Sequence, residues 1–327
     1  MPANQQSLYC RDSTGGNVPQ ALTHVALINA VVSIVGAEQG RPTLQDTTLV
    51  DFQVAYGLGM PAVELKTLEH DIACVTLNRP ERLNAIDGSL IDGVDDALDV
   101  LSGGEFRVAI LTGAGRGFCA GADLSGTGEP WTKPGPHSPE FKTRYDAQVR
   151  LADLFTRIYE LPIPVIAAVN GVAVGGGLAF TLVSDIRVAS ENARFGSVFI
   201  KAGFSSMDMG TSYLLPKIVG AGVARELMLT GRIIDAAEAY RIKLVHEVVA
   251  PDALMPAALA LARSIAENNA YGVWQTKIGL NAALDAPSLR HAIEIENRTQ
   301  ILSGFTNNPA EAAKAHQEKR APKWDSL

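Results

Sequence analysis

The stretch that most constrains this fold is residues 165–185, which read V-I-A-A-V-N-G-V-A-V-G-G-G-L-A-F-T-L-V-S-D. An apolar run of strand length comes first, then the turn signal Asn170-Gly171, then Gly175, Gly176 and Gly177. The residues that follow fit a helix with no fully polar face. The pattern therefore predicts a strand, a tight glycine turn and a buried helix. The glycines either let the helix pack closely on the sheet or let the backbone approach a ligand, because no Cβ intervenes.

A second glycine-containing turn makes a ligand site the more specific interpretation. The first N–H groups of a helix have no partner within it, and the helix dipole adds positive charge there. Such a turn can bind an anion or stabilise an oxyanion. Residues 117–124, G-F-C-A-G-A-D-L, also follow a predicted strand. Two such turns predict a pair of N–H donors that converge on one oxygen.

The composition bounds the class of protein. The chain has 327 residues, of which 47% are hydrophobic and 19% charged, so a large core is expected. A net charge of −7 argues against a nucleic-acid partner, which would require a basic patch. Cys10, Cys74 and Cys119 are widely spaced and form no C-x-x-C motif. We therefore expect no disulfide framework, no metal site and no separate cofactor, with Cys119 as a small apolar filler.

No apolar run reaches the 18 residues of a membrane span, and no basic segment leads into the apolar stretch at 21–37. A cytoplasmic protein with no membrane partner is therefore expected. Residues 1–60 show no chemical motif and are interpreted as a flexible N-terminal extension. Strand and helix patterns alternate over 61–250, and only helical patterns follow over 251–327. Helices are predicted, among others, at 89–101, 147–160, 214–219, 253–268 and 272–284.

Several motifs together resemble the crotonase superfamily, the enoyl-CoA hydratase/isomerase family. They are G-F-C-A-G-A-D-L, P-V-I-A-A-V-N-G-V-A-V-G-G-G, L-N-R-P-E-R-L-N-A, S-D-I-R-V-A-S-E-N-A-R-F-G and L-T-G-R-I-I-D-A-A-E-A. The resemblance covers roughly residues 63–250, with a looser helical match beyond. It implies an α/β crotonase core (ClpP/crotonase-like) of repeated ββα units. It also implies a helical C-terminal oligomerisation region and a homotrimer or hexamer.

The resemblance also implies an acyl-CoA thioester as substrate, with coenzyme A entering only as part of that substrate. The N–H groups of Ala122 and Gly176 would hold the thioester oxygen as an enolate forms. Arg82 and Arg116 match positions where the family often has basic residues near the CoA phosphates, although both also fit solvated surface arginines. The remaining residues expected to bind substrate or CoA are Ala120, Gly175, Phe199 and Tyr213.

The chain departs from the family at two catalytic positions. Typical hydratases carry a glutamate two residues after the third glycine and another in the segment after F-G. The matching residues here are Ala179 and Phe199, and neither can move a proton. Adding water across a double bond needs a base for the water and an acid for the α-carbon. The usual two-carboxylate hydration is therefore not expected.

One carboxylate, Asp208, stands in the right neighbourhood. Its segment, D-M-G-T-S-Y, resembles the D-x-G-T of dienoyl-CoA isomerases, where an aspartate transfers a proton. It also resembles the D-x-x-T-S-Y of 4-chlorobenzoyl-CoA dehalogenases, where the aspartate is a nucleophile. A helix N-cap is a further interpretation. Burial against Phe199 and Phe204 would raise the pKa of Asp208 and suit it to acid/base work. His137, on a long loop, is the other candidate base.

These observations predict an acyl-CoA-transforming enzyme of the hydratase/isomerase kind. Ala122 and Gly176 would stabilise a thioester enolate, and Asp208 would carry the proton. Two alternatives stay open. One is dehalogenase-like or thioester-hydrolase-like chemistry with Asp208 as nucleophile, and the other is an acyl-CoA-binding protein without catalysis.

Overall fold

The computed structural model describes residues 61–69, 71–131 and 139–325. The expected N-terminal extension over residues 1–60 lies outside the described residues, and so does the candidate base His137. Ten strands run through the described part of the chain: β1 Val63–Glu69, β2 Ile72–Leu77, β3 Val108–Gly113, β4 Gly117–Cys119, β5 Val165–Val169, β6 Val172–Val174, β7 Ile186–Ser190, β8 Arg194–Gly196, β9 Ile234–Asp235 and β10 Glu247–Val249.

The strands form a six-stranded sheet of order β1-β2-β3-β5-β7-β10 and a four-stranded sheet of order β4-β6-β8-β9. In the larger sheet β1 pairs antiparallel with β2, and the other neighbours are parallel. Every residue of β3 and β5 is buried, as expected for parallel strands that are covered on both faces. Each of β3, β5 and β7 is followed within a few residues by a short strand of the smaller sheet and then by a helix. This order is the repeated ββα unit expected from the sequence.

Ten α-helices complete the described residues: α1 Gly88–Leu101, α2 Glu140–Glu160, α3 Gly176–Val183, α4 Thr211–Val219, α5 Ala221–Thr230, α6 Ala236–Arg241, α7 Leu254–Ala266, α8 Ala270–Ala283, α9 Leu289–Ser303 and α10 Asn308–Glu318. Most bounds agree with the sequence patterns within three residues. Helix α2 begins seven residues earlier than its apolar pattern predicts. Its first turns bury no side chain and instead carry the surface ion pairs Glu140–Arg144 and Lys142–Asp146, each at 2.6 Å and with i,i+4 spacing.

The two faces of the larger sheet bury alternate residues of the same strands. In β3, Ala109 and Leu111 join the core cluster that includes α1, α2 and α3, whereas Val108 and Ile110 join a smaller cluster on the opposite face. Helix α7 covers that second face with side chains four residues apart, namely Leu254, Ala258 and Ala262. Burying Leu254 alone stabilises the fold by about 1.5–3 kcal/mol. The first helix beyond residue 250 therefore packs on the sheet itself.

A buried charge ties α8 to the core. Lys277 of α8 donates to the carbonyl of Ile163 at 3.0 Å and pairs with Asp185 at 2.9 Å. Helix α9, by contrast, has no buried residue. No helix in the described ranges is both long and apolar enough to cross a membrane.

Candidate active site

The N–H of Ala122 is left without a partner by the strand-like bridge that holds it. The N–H of Ile86 donates to the carbonyl of Gly121 at 2.7 Å, and the N–H of Asp123 donates to the carbonyl of Ile86 at 2.9 Å. Because backbone groups of an extended chain alternate in direction, the N–H of Ala122 faces away from Ile86. Within the described residues no hydrogen bond is recorded for it. The N–H is therefore free to donate a hydrogen bond to a ligand oxygen.

Gly176 is the first residue of α3, and its N–H is one of the unpartnered donors of a helix start. Gly175 precedes it with a φ of 55°, a conformation that favours glycine. The two turns touch: a Cβ built on Gly121 would lie 3.4 Å from the nitrogen of Gly176. The turn before Ala122 therefore lies beside the start of α3, as a shared acceptor oxygen requires.

A side chain is excluded at Gly176 and at Gly177 by different neighbours. A Cβ on Gly177 would lie 1.9 Å from the carbonyl oxygen of Cys119, so Gly177 permits close packing of α3 on β4. A Cβ on Gly176 would instead meet the ends of two side chains, Ile86 Cδ1 at 2.5 Å and Met209 Sδ at 3.3 Å. Both interpretations of the glycine run are therefore present, at different residues.

Apolar side chains surround this turn. The ring of Phe199 lies beside Gly175, 3.9 Å from where its Cβ would be, and Phe199 is only 9% exposed. Ile86 and Met209 are buried on the other side. Ala179, where the family resemblance implies a glutamate, is fully buried in the core. These contacts make a low-dielectric wall, in which hydrogen bonds to a developing charge are stronger than in water.

Asp208 is tied to this wall through the next residue in the chain. Its Oδ1 accepts the N–H of Met209 at 2.8 Å and the side-chain amide Nε2 of Gln148 at 2.6 Å. Desolvation raises the pKa of the half-buried Asp208 carboxyl, opposed by the hydrogen bonds from Gln148 and Met209. Phe204, expected beside Asp208, is 64% exposed. The raised pKa is the shift that acid/base work calls for.

The N-cap interpretation of Asp208 is wrong. Gly210 occupies the cap position of α4, and no side chain caps that helix. The main-chain carbonyl of Asp208 accepts the N–H of Thr211 at 2.8 Å, but its carboxylate does not. The carboxylate is therefore not used to hold the helix.

Arg79 is a site residue that the sequence patterns missed. Its Nη2 lies 3.0 Å from both Asp87 and Asp123, and all three side chains are largely buried. Asp87 in turn caps α1 by accepting the N–H of Leu90 at 3.1 Å. Hydrogen bonds from Ser125, together with Arg79, lower the pKa of Asp123 to about 2. Asp123 thus fixes the turn beside Ala122.

Cys119 lies directly under α3 and is fully buried. Desolvation raises the pKa of its thiol to about 12, so it carries no thiolate at neutral pH. Its expected role as an apolar filler is confirmed. Among the described residues, no group of three or more His, Cys, Asp and Glu side chains lies together as metal ligands would.

The residues expected to bind CoA or substrate differ in what they contact. Arg82 donates to the hydroxyl of Thr127 at 3.3 Å, in the loop that follows Ala122, and Arg116 is exposed. The N–H of Ala120 donates to the carbonyl of Leu83 at 3.0 Å. The hydroxyl of Tyr213 donates to Asp285, which belongs to the turn between α8 and α9. In this structure Tyr213 therefore contacts the C-terminal helices, and its role toward substrate stays a prediction.

Comparison with known proteins assigns the fold and the site to a family. A profile described as enoyl-CoA hydratase/isomerase matches residues 67–326. The probable enoyl-CoA hydratase EchA12 of Mycobacterium tuberculosis H37Rv is 40% identical over 80% of this chain and 92% of its own. The 1,2-epoxyphenylacetyl-CoA isomerase of Escherichia coli K12 is 34% identical over 80% of this chain and 97% of its own.

A solved structure agrees. The crystal structure of a probable enoyl-CoA hydratase/isomerase from Mycobacterium abscessus superposes with a TM-score of 0.74 and 34% identity, covering 81% of this chain and 99% of that one. The chain therefore belongs to the enoyl-CoA hydratase/isomerase family, with the crotonase fold, and is an acyl-CoA-transforming enzyme.

Proposed function

We propose that this enzyme moves a proton between carbons of an acyl-CoA thioester and so shifts a double bond, with Asp208 as the proton carrier. The observation that carries the proposal is the half-buried Asp208 carboxylate, held beside the Gly176 turn through Met209. One group suffices for this reaction. The Asp208 carboxylate takes a proton from one carbon, and the same group returns it to another carbon of the conjugated enolate.

The negative charge that develops in this step lies on the thioester oxygen, beside the two free N–H groups. The thioester carbonyl would accept from Ala122 and Gly176, and the negative charge would grow on its oxygen as the proton leaves. Removing one donor of this kind raises the barrier by roughly 3–4 kcal/mol in enzymes where it was tested. The carbonyl thus becomes an enolate without any cofactor beyond the CoA of the substrate.

The apolar side chains around Gly175 and Gly176 favour isomerisation over hydration. Hydration needs a second proton-transfer group to activate water. The family's glutamate positions hold Ala179 and Phe199, and the side chains recorded against Gly175 and Gly176 are apolar.

The test compares two reactions with three proteins. A panel of 3-enoyl-CoA thioesters is offered for conversion to 2-enoyl-CoA, and crotonyl-CoA for hydration. Wild type should isomerise at least one 3-enoyl-CoA and hydrate crotonyl-CoA poorly. Asp208→Asn should lower isomerisation by about 10²–10⁴-fold. Asp153→Asn, at an exposed position of α2, is the matched control and should match wild type.

Other outcomes would replace the proposal. Hydration at the rate of an efficient hydratase would contradict it. A covalent mass on a peptide that contains Asp208 would identify a nucleophile, as in dehalogenase-like or hydrolase-like chemistry. Binding of CoA thioesters without turnover across the panel would identify a non-catalytic binder.

We further propose a homotrimer or hexamer in the cytoplasm, with Arg82 and Arg116 near the CoA phosphates. The exposed apolar side chains of α9 and the residues after it support an assembly, because a soluble monomer rarely leaves such a patch open. They are Leu289, Ile293, Ile301, Leu302 and Phe305.

A further inference from the structure

We propose that Gln148 is a positioning residue that holds Asp208 through Oδ1 and leaves Oδ2 as the atom that carries the proton. This inference rests on the proposed function, because it assigns the atoms of the proton carrier. Gln148 lies on α2, in a part of the sequence that carries no family motif and that the sequence patterns did not single out.

The two oxygens of Asp208 are not equivalent. Oδ1 accepts from Gln148 Nε2 at 2.6 Å and from the N–H of Met209 at 2.8 Å. For Oδ2, no hydrogen bond or ion pair with the described residues is recorded. Hydrogen bonds to a carboxylate stabilise its charge, and an oxygen that already accepts two is the weaker base. A proton taken from substrate therefore goes to Oδ2.

Met209 and Gln148 fix the carboxylate from two sides. The side chain of Met209 lies against Gly176, with its Sδ 3.3 Å from where a Cβ on that glycine would be. Its N–H therefore ties Oδ1 to the wall of the oxyanion turn. Gln148 reaches the same oxygen from a separate helix. With both donors present, rotation about the Asp208 side-chain bonds is restricted, and Oδ2 keeps one direction.

Helix α2 is tied to α1 and to the loop at Trp131. Gln148 is three and seven residues before the buried Leu151 and Phe155, so it lies on the same side of the helix, at a position that is itself exposed. Arg150 and Arg157 bridge α2 to acidic side chains of α1, and Arg157 lies 2.6 Å from Asp95. Arg150 also donates to the carbonyl of Trp131 at 2.6 Å.

Charged side chains on the helices near Gln148 and Asp208 form ion pairs with other residues. On α2, Arg144 pairs with Glu140, Asp146 pairs with Lys142, and Arg150 pairs with Asp92. On α4, Lys217 pairs with Asp285. Within the described part of the chain, no charged side chain is recorded as acting on Asp208. The Gln148 amide is thus the side-chain donor that sets its hydrogen bonding.

The experiment measures pH profiles of isomerisation for Gln148→Leu and Gln148→Glu. Gln148→Leu removes the donor at nearly constant volume, and Gln148→Glu places a second carboxylate against Asp208. For Gln148→Leu we expect kcat to fall about ten-fold with little change in KM, since one hydrogen bond to a charged group is lost. The acidic limb of kcat/KM should move to higher pH, and further for Gln148→Glu because like charges repel.

Gln317→Leu, at an exposed position of α10, is the matched control and should reproduce wild type. Gln148 is exposed, so thermal unfolding should show both variants folded. If Asp208→Asn is inactive but Gln148→Leu keeps its kcat and the acidic limb does not move, the inference about Gln148 is overturned and the proposed function stands. If Asp208→Asn retains full activity, the proposed function fails and this inference fails with it.

Discussion

At the residue scale, Gly176 and Gly177 adjoin each other but serve different purposes. Gly177→Ala would place a Cβ 1.9 Å from the main-chain oxygen of Cys119, which cannot move without shifting β4. We expect a loss of at least 1–3 kcal/mol in the free energy of unfolding. Gly176→Ala would meet only the ends of Ile86 and Met209, so we expect a folded enzyme with lower turnover. Urea denaturation and turnover measure both.

The opposite pattern would count against this assignment. If Gly177→Ala were as stable as wild type and Gly176→Ala were fully active, neither glycine would have the role given to it.

The raised pKa of Asp208 suits its proposed activity, and it should lower the stability of the folded protein at neutral pH. Its folded-state pKa is raised, so between the ordinary value of 3.8 and the raised value the folded protein binds more protons than the unfolded chain. Stability from this group is therefore present at low pH and is lost as the pH rises through that window. We expect Asp208→Asn to be at least as stable as wild type at neutral pH. Thermal unfolding across pH measures this, and a marked loss of stability at neutral pH would mean a structural role.

At the element scale, Lys277 holds α8 to the core. Its side chain is 5% exposed and that of Asp185 25%. Within the described residues, Lys277→Met would leave the Asp185 carboxylate with one hydrogen-bond donor, the N–H of Val165 at 2.7 Å. Breaking a buried pair costs about 3–5 kcal/mol, and partial exposure of Asp185 reduces this to about 2–4 kcal/mol. Urea denaturation measures the difference.

Lys142→Met is the control for this substitution, because the Lys142–Asp146 pair is exposed and should contribute about 0.5 kcal/mol or less. Equal effects of the two substitutions would contradict a buried anchor at Lys277.

The sequence predicts the elements of the larger sheet better than those of the smaller one. Apolar runs of four and five residues mark β3 and β5. Strands of two or three residues, such as β6 and β9, are too short to show a period, and they were not predicted. The start of α2 was missed because its first turns bury nothing.

The same contrast holds for the site. Gly176 and Ala122 stand in local motifs that a sequence shows directly. Arg79 and Gln148 act through contacts with residues 44 and 60 positions away, and such contacts leave no local pattern. The helical spacing of Gln148 with the buried Leu151 and Phe155 is the one signal in the sequence that points to it.

At the scale of the whole molecule, the exposed apolar side chains of the C-terminal helices predict self-association. Phe305 is 85% exposed, at the end of α9, which buries no side chain within the chain. Light scattering of the purified chain should give the mass of a trimer or hexamer. Phe305→Glu with Ile301→Glu should lower that mass, because charges at an apolar contact are unfavourable. A wild-type monomer would contradict the proposed assembly.

Enolate formation by Ala122, Gly176 and Asp208 is the central step of the proposed function. The most direct measurement is exchange of the α-protons of bound acyl-CoA thioesters with deuterated water, followed by mass spectrometry. Wild type should introduce deuterium at the α-carbon of at least one thioester, and Asp208→Asn should slow this by about 10²–10⁴-fold. Exchange that is equally fast in Asp208→Asn would contradict the account, because the proton would then leave the α-carbon without Asp208.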